Sequence, residues 1–154
     1  MTKRLFLALA LSIGLIPASH AGDVYRDCIN LVTDYAYYRD RFDAVGFSNI
    51  FTEDASLTVV GQTWVGRDQI RSRIEGLDSS GKIRHLMSTI RIEPIDERHA
   101  TGVSYATIYS SSAGSNSVEG FAIMGEYHDN FVLTDDGWRI SKRELKSVFS
   151  YEDN

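Results

Sequence analysis

The chain has 154 residues, a formal net charge of −5 at pH 7 and one cysteine, Cys28. This length corresponds to a single domain. An acidic chain without a basic cluster repels phosphate backbones, which argues against nucleic acid as a partner. One cysteine excludes an internal disulfide, so the fold must be stabilised by packing.

The first 21 residues have the three parts of an export signal. Lys3 and Arg4 precede the apolar stretch LFLALALSIGLI, and Ser19-His20-Ala21 provides small residues at a cleavage site. The apolar stretch is too short to span a membrane. We therefore expect a signal peptide over 1–21 with a cut after Ala21, a domain over 22–150 and a tail over 151–154. The expected location is the periplasm or the exterior of the cell, with no membrane span.

Apolar residues spaced four, three, four, three and four apart predict a long first helix. They are Val24, Cys28, Leu31, Tyr35, Tyr38 and Phe42. A shorter helix is predicted over about 43–51, followed by the strand ASLTVV and, after a turn at Gly61-Gln62, the strand TWV. The segment GRDQIRSRIEGL predicts an amphipathic helix of about three turns.

The second half of the chain reads as strands. Four long strands are predicted, over residues 84–93, ATGVSYATIYS, GFAIMGEYHDNFVL and WRISKRELKSVF. A hairpin turn at Asp135-Asp136-Gly137 precedes the last of them. The order is helix, helix, strands, helix and four antiparallel strands. A single curved sheet wrapped around the helices, which is an α+β architecture, satisfies this order.

A histidine stands near the start of the first long strand, in RHLMSTIRIE. Strand alternation puts His85, Met87 and Thr89 on one face. The other face carries the more apolar set Leu86, Ser88, Ile90 and Ile92. Periodicity alone therefore leaves open whether His85 lies at the surface or in a functional site.

Asp40 lies near the predicted end of the first helix, five residues after Tyr35. A carboxylate there is disfavoured by about 0.3–1 kcal/mol because of the helix dipole. This unfavourable placement along an apolar stripe favours a functional role, and the alternative is that Asp40 caps the second helix. Tyr35 lies in the middle of the helix stripe, so its ring is expected to be buried in either case.

The segments DYAYYRDRFDAVGFSNIFTEDASLTV, GRDQI, RHLMSTIRIE and GEYHDNFVLTDDGWRISKR resemble a SnoaL-like domain. This group belongs to the nuclear-transport-factor-2-like superfamily, which includes scytalone dehydratase, bile-acid dehydratases, steroid isomerases and polyketide cyclases. The resemblance covers roughly residues 24–149. It implies that residues 22–150 form an α+β cone, in which a curved antiparallel sheet wraps around a long N-terminal helix and encloses an apolar pocket.

The resemblance also implies a catalytic set, Tyr35, Asp40 and His85, which match the tyrosine, aspartate and histidine of the dehydratases. Arg143 matches a basic residue that some relatives aim into the pocket, although Arg139 and Lys142 are close competitors. Tyr127 and Asp129, which share a strand face, and Met87, on the face of His85, are further candidate binding residues. Relatives carry a second histidine or aspartate near positions 108–110, and this chain has neither there, which argues against a two-base mechanism.

The chemistry of this set is proton transfer. Histidine is the side chain whose pKa lies nearest neutrality, a carboxylate fixes its tautomer, and a tyrosine hydroxyl stabilises developing negative charge. The predicted function is a cofactor-independent dehydratase or isomerase that acts on a small hydrophobic molecule with a carbonyl group.

The main alternative is a non-catalytic exported protein that binds an apolar ligand in the same pocket, and a structural assembly subunit is a third reading. No metal site is expected, because the histidines lack ligand spacing and no cysteine pair exists. A homodimer, common in the superfamily, remains open.

Overall fold

The computed structural model describes residues 20–150, with side chains from residue 24 onward. The predicted signal peptide, apart from the backbone of residues 20 and 21, and the predicted tail 151–154 lie outside the described residues. Within the described part of the chain, no helix is long and apolar enough to cross a membrane.

The described residues form three helices and six strands in the predicted order. They are α1 His20–Arg39, α2 Ala44–Asn49, β1 Phe51–Val59, β2 Gln62–Val65, α3 Arg67–Glu75, β3 Lys82–Pro94, β4 His99–Ser111, β5 Ile123–Thr134 and β6 Gly137–Ser150.

The six strands form one curved, unclosed sheet in the order β2-β1-β6-β5-β4-β3. Helix α1 packs against β3 and β6. The predicted α+β cone with a curved sheet around the first helix is confirmed. One pairing differs from the expectation, because β1 and β6 run parallel whereas the other neighbours are antiparallel.

Helix α1 buries one face against the sheet, as the three- and four-residue spacing of its apolar residues predicts. The buried apolar residues of α1 are Val24, Cys28, Leu31, Val32, Tyr35 and Ala36. Burial raises the pKa of Cys28 to about 12, so this thiol is an unreactive core group. The helix ends at Arg39 and not at Phe42, because the chain reverses there and Phe42 adopts a φ of 56°.

Helix α2 is capped by Asp43, whose side chain accepts a hydrogen bond from the backbone N–H of Gly46 at 2.9 Å. The cap therefore comes from the residue directly before the helix, and the alternative that Asp40 caps α2 is wrong. The helix is also shorter than the predicted 43–51. Asp40 lies between the two helices, with its side chain available for another partner.

Strand β3 contains a bulge that changes which residues face the core. Its register with β4 shifts between Ser88 and Arg91, and Thr89 adopts a φ of 48°. The extra residue turns Ile90 and Ile92 toward the core, on the same side as His85 and Met87. The prediction that Ile90 and Ile92 lie opposite His85 is wrong, because strict alternation fails at the bulge.

Candidate active site

The end of α1 and the start of β3 meet through a hydrogen-bonded pair, Asp40 and His85. The imidazole Nδ1 of His85 lies 2.6 Å from Oδ1 of Asp40, and the backbone N–H of His85 donates to Oδ2 at 3.0 Å. Both side chains are buried, with exposed fractions of 7% for Asp40 and 4% for His85. The carboxylate is thus held at both oxygens and fixes the position of the imidazole.

The chain brings these two residues together over 45 positions by packing α1 across β3. Arg84, the neighbour of His85, donates from Nη1 to the backbone carbonyl of Asp40 at 3.3 Å. The end of the helix is therefore joined to the strand by main-chain and side-chain hydrogen bonds.

The surroundings of His85 favour its neutral form by lowering its pKa. Burial is the main cause that lowers its pKa, and the positive charges of Arg39 and Arg143 lower it further, whereas the bond to Asp40 opposes this. A neutral imidazole beside a carboxylate donates from Nδ1 and keeps the lone pair of Nε2 free. Within residues 20–150, Asp40 is the only hydrogen-bond partner of the imidazole. The ring is therefore in the state required of a general base.

Two buried tyrosines lie beside this pair. The Tyr35 ring lies edge-on to the imidazole of His85, with 6.1 Å between the ring centroids. The hydroxyl of Tyr127 donates to the hydroxyl of Tyr35 at 3.3 Å. Burial raises the pKa of Tyr127 well above its usual value, so this donor stays protonated. Since Tyr35 accepts from Tyr127, its own proton remains free to bind an oxygen of a ligand.

A buried ion pair supports the tyrosines. Nε and Nη2 of Arg143 donate to the two carboxylate oxygens of Asp129 at 2.7 and 2.6 Å, and both side chains are fully buried. The guanidinium lies 4.2 Å from the ring centroid of Tyr35 and 4.7 Å from that of Tyr127. Burial opposes the charge, but Asp129 more than compensates and raises the pKa of Arg143. Nη1 is buried and has no partner among the described residues.

Arg143 is fully buried, in contrast to the other two basic candidates on β6. Lys142 is exposed, and half-buried Arg139 donates to the backbone carbonyl of Trp138. Met87, the remaining predicted binding residue, is half-buried, packs against the core and lies on the inner face with His85. The structure therefore brings Tyr35, Asp40, His85, Tyr127, Asp129, Arg143 and Met87 to one side of the sheet.

The interior is richer in charge than an apolar pocket, and the sequence analysis missed three of its polar residues. Arg39, Arg73 and Ser104 each have a buried side-chain nitrogen or oxygen without a partner in the described chain. Arg39 follows Tyr35 by four residues, and this spacing on a helix predicts that the two side chains lie on the same face. Ser104 pairs with Tyr127 across β4 and β5, but no local pattern distinguishes it from other strand serines.

The inner face of β4 carries no second acid or base. The buried residues of β4 are Ala100, Gly102, Ser104, Ala106 and Ile108. A cavity of about 400 Å³ is lined by Arg39, Phe42 and Ile83 together with residues 78, 80–82 and 110–113, and neither Asp40 nor His85 is part of its lining. This volume is within the range of small-molecule sites. Among residues 20–150, no group of three or more His, Cys, Asp or Glu side chains is arranged to hold a metal ion.

The curved sheet carries on its inner face a buried histidine–aspartate pair with a polar cluster beside it. The family model of the SnoaL-like domain matches residues 23–144. The chain therefore belongs to the SnoaL-like domain family.

Solved structures share this fold. A Mycobacterium tuberculosis protein of unknown function, Rv3472, matches with 25% identity and a TM-score of 0.71 over 80% of this chain and 76% of that one. A provisionally named scytalone dehydratase from Novosphingobium aromaticivorans matches with 23% identity and a TM-score of 0.72, over 85% and 89%. A type 2 hexachlorocyclohexane dehydrochlorinase (LinA) matches with 17% identity and a TM-score of 0.71, over 83% and 88%. No curated protein matches the sequence.

Proposed function

We propose that this protein is a cofactor-independent dehydratase or isomerase, which moves a proton on a small hydrophobic molecule that carries a carbonyl group. The observation that carries the proposal is the 2.6 Å bond between Asp40 and the Nδ1 of a buried, neutral His85. Two structurally similar proteins are named for eliminations, a dehydratase and a dehydrochlorinase, which agrees with this class of reaction.

In the proposed reaction, Nε2 of His85 removes a proton from the carbon next to the carbonyl. The electron pair of the broken C–H bond moves toward the carbonyl oxygen and forms an enolate. The resulting imidazolium is stabilised by the carboxylate of Asp40, whose charge lies against Nδ1. The tyrosine hydroxyl of Tyr35 donates to the enolate oxygen, and the positive charge of Arg143 favours the same negative charge.

In a dehydration, the enolate electrons then form the carbon–carbon double bond as the C–O bond to a β-hydroxyl breaks. The proton on Nε2 passes to the departing oxygen, so water is released and His85 becomes neutral again. In an isomerisation, the same proton returns to a different carbon. One base is sufficient for either course, which suits a site with no second acid or base on β4.

Hydrogen–deuterium exchange tests proton removal without knowledge of the substrate. Purified protein is incubated in D₂O with a panel of cyclic ketones and β-hydroxyketones, and deuterium uptake at the α-carbon is followed by mass spectrometry. We expect catalysed exchange for at least one compound, with a loss of about 10²–10⁴-fold in His85→Gln. His99→Gln, at an exposed turn histidine, is the control and should be unaffected. Equal exchange by wild type and His85→Gln would refute the proposal.

A non-catalytic binding protein is the second candidate, favoured by the lack of a second acid or base on the inner face of β4. Under this alternative, ligands identified by mass spectrometry after co-purification remain bound in His85→Ala and are not converted by the wild type. Conversion of any bound ligand by the wild type would exclude this alternative.

Export and dimerisation complete the proposal. We expect an intact mass that shows the loss of residues 1–21 after expression with the full leader. A homodimer would use the outer sheet face, where Leu86, Thr107, Met124 and Phe149 form one cross-strand row. Analytical ultracentrifugation tests this, and Phe149→Lys should convert a dimer to a monomer.

A further inference from the structure

Arg39, the last residue of α1, is a buried cation without a counter-ion. It is only 9% exposed, and its guanidinium makes no hydrogen bond and no ion pair within the described chain. Its nearest aromatic contact is the ring of Phe42, whose centroid lies 5.1 Å from the guanidinium carbon. Burying an unpaired charge is costly, so such a group normally has a partner.

Arg73 on α3 repeats this arrangement. Its guanidinium lies 4.7 Å from the ring centroid of Trp64, and its buried Nη1 has no partner among residues 20–150. Two causes lower the pKa of Arg39: burial is the larger, and the positive charge of Arg73 is the second. Arg39 is buried and Arg73 is half-buried, and the Nη1 of each is buried without an acceptor among the described residues.

The carboxylates of the interior compensate these two cations only in part. Both oxygens of Asp129 accept from Arg143, and both oxygens of Asp40 accept from His85. The interior therefore holds three guanidinium groups and two carboxylates, which leaves one positive charge in excess while His85 is neutral.

The rim of the cavity beside Arg39 adds one charge of each sign. Lys82 donates from Nζ to the backbone carbonyl of Ser115 and contacts Asn116, and exposed Asp78 accepts from the backbone N–H of Ser80. These groups cancel each other and are engaged in loop contacts. The rim therefore does not supply the missing negative charge.

We propose that Arg39 and Arg73 form an anion-binding subsite that receives a carboxylate or a similar singly charged oxyanion of the ligand. The apolar body of the ligand packs against Phe42 and Ile83, which line the cavity that contains Arg39. The statement about substrate charge rests on the proposed function, whereas anion binding itself does not depend on turnover.

A pair of fluorescent probes tests the subsite. 8-Anilinonaphthalene-1-sulfonate carries a sulfonate on an apolar body, and N-phenyl-1-naphthylamine is its uncharged counterpart. Both are titrated into the full chain of the wild type, Arg39→Met and Arg73→Met. Arg91→Met is the matched control, because Arg91 is an exposed arginine on β3 with a side chain that is 77% exposed.

We expect one tight site for the sulfonate probe in the wild type. Each of Arg39→Met and Arg73→Met should weaken it about 10- to 100-fold, which corresponds to about 1.4–2.8 kcal/mol. The uncharged probe should bind these variants as well as it binds the wild type, and Arg91→Met should change neither probe. Equal affinity of the sulfonate probe for wild type and Arg39→Met, or equal loss of both probes, would overturn the proposal.

Two further variants keep the test decisive. If Arg39→Met does not fold, Arg39→Lys retains the charge and should bind the sulfonate probe, whereas Arg39→Gln should not. His85→Gln should retain the probe while it loses exchange activity, so failure of the subsite and failure of the proposed reaction are separate results. Loss of the probe in His85→Gln, with its fold intact, would place the anion elsewhere and overturn the assignment.

Discussion

Replacing Asp40 by asparagine should reverse the tautomer of His85. In the wild type, the backbone N–H of His85 occupies Oδ2 of Asp40, and Nδ1–H occupies Oδ1. An asparagine has one oxygen, and the backbone N–H, which cannot change its role, requires it. The NH₂ group of the asparagine then faces Nδ1, which must accept a hydrogen bond and therefore loses its proton. The proton moves to Nε2, which no longer acts as a base.

The size of the effect follows from the lost charge. A buried hydrogen bond to a charged group contributes about 1.5–3 kcal/mol, and one pKa unit corresponds to about 1.36 kcal/mol. The pKa of His85, already lowered by burial, should therefore fall further in Asp40→Asn. In a Ser-His-Asp triad the same change lowers kcat by about 10⁴-fold through the wrong tautomer, and we expect a loss of similar order in the exchange assay.

The ¹⁵N shifts of the imidazole nitrogens, measured by NMR across a pH titration, report both the tautomer and the pKa. Asp96→Asn is the matched control, because Asp96 accepts from the backbone N–H and from Nδ1 of His99 at the exposed turn. Water competes for these groups at the exposed turn, so the tautomer of His99 should change much less than that of His85. An unchanged tautomer of His85 in Asp40→Asn, with the fold intact, would refute the reasoning.

Further predictions concern stability and reactivity. The pKa of His85 is lowered in the folded state, so below about pH 6.5 the unfolded chain binds a proton that the folded chain does not. In urea unfolding, the stability of the wild type should therefore fall below this pH more steeply than the stability of His85→Gln. Parallel pH profiles of the two proteins would contradict this. Arg143→Leu leaves Asp129 buried and unpaired and should lose about 3–5 kcal/mol, part of which a second Asp129→Leu substitution restores; a loss below about 1 kcal/mol would contradict it. Cys28 should react with a thiol reagent only after unfolding, and rapid reaction in buffer would be the contrary result. Thr89→Gly should stabilise the folded protein by up to about 1 kcal/mol in urea unfolding. The reason is that relief of about 1–2 kcal/mol of left-handed backbone strain exceeds the entropic cost of glycine. A net loss of stability would show that the bulge is unstrained.

The sequence predicted the helices and strands well, because their spacing carries the signal. The apolar stripe of α1 and the runs of β3 to β6 have periods that only one element type satisfies. The side of β3 that faces the core was not predictable in this way. The bulge at Thr89 interrupts the alternation, and a threonine in a left-handed conformation has no sequence signature of its own. His85 therefore gained its candidate role from the family resemblance and its position from the fold.

The polar network of the interior depended on long-range pairing, which local patterns do not encode. Asp129 lies opposite Arg143 because β5 and β6 pair in that register. The partner of Asp40 lies 45 residues away on another element. In contrast, Nη1 of Arg39 has no hydrogen-bond acceptor in the described chain, and a missing acceptor is visible only once every neighbouring side chain has been placed.

The proposed anion subsite and the proposed base are electrostatically coupled. The positive charges of Arg39 and Arg143 are among the causes that lower the pKa of His85, and Asp40 opposes them. Asp129 already compensates Arg143, so Arg39 is the cation whose charge a bound anion would offset. Binding would therefore raise the pKa of His85 and make Nε2 a stronger base when a ligand is present. By reciprocity, protonation of His85 must strengthen anion binding by the same factor. The unpaired charge of Arg39, which destabilises the empty site, would thus keep the pKa of His85 low until a ligand binds and let it rise when the anion is bound.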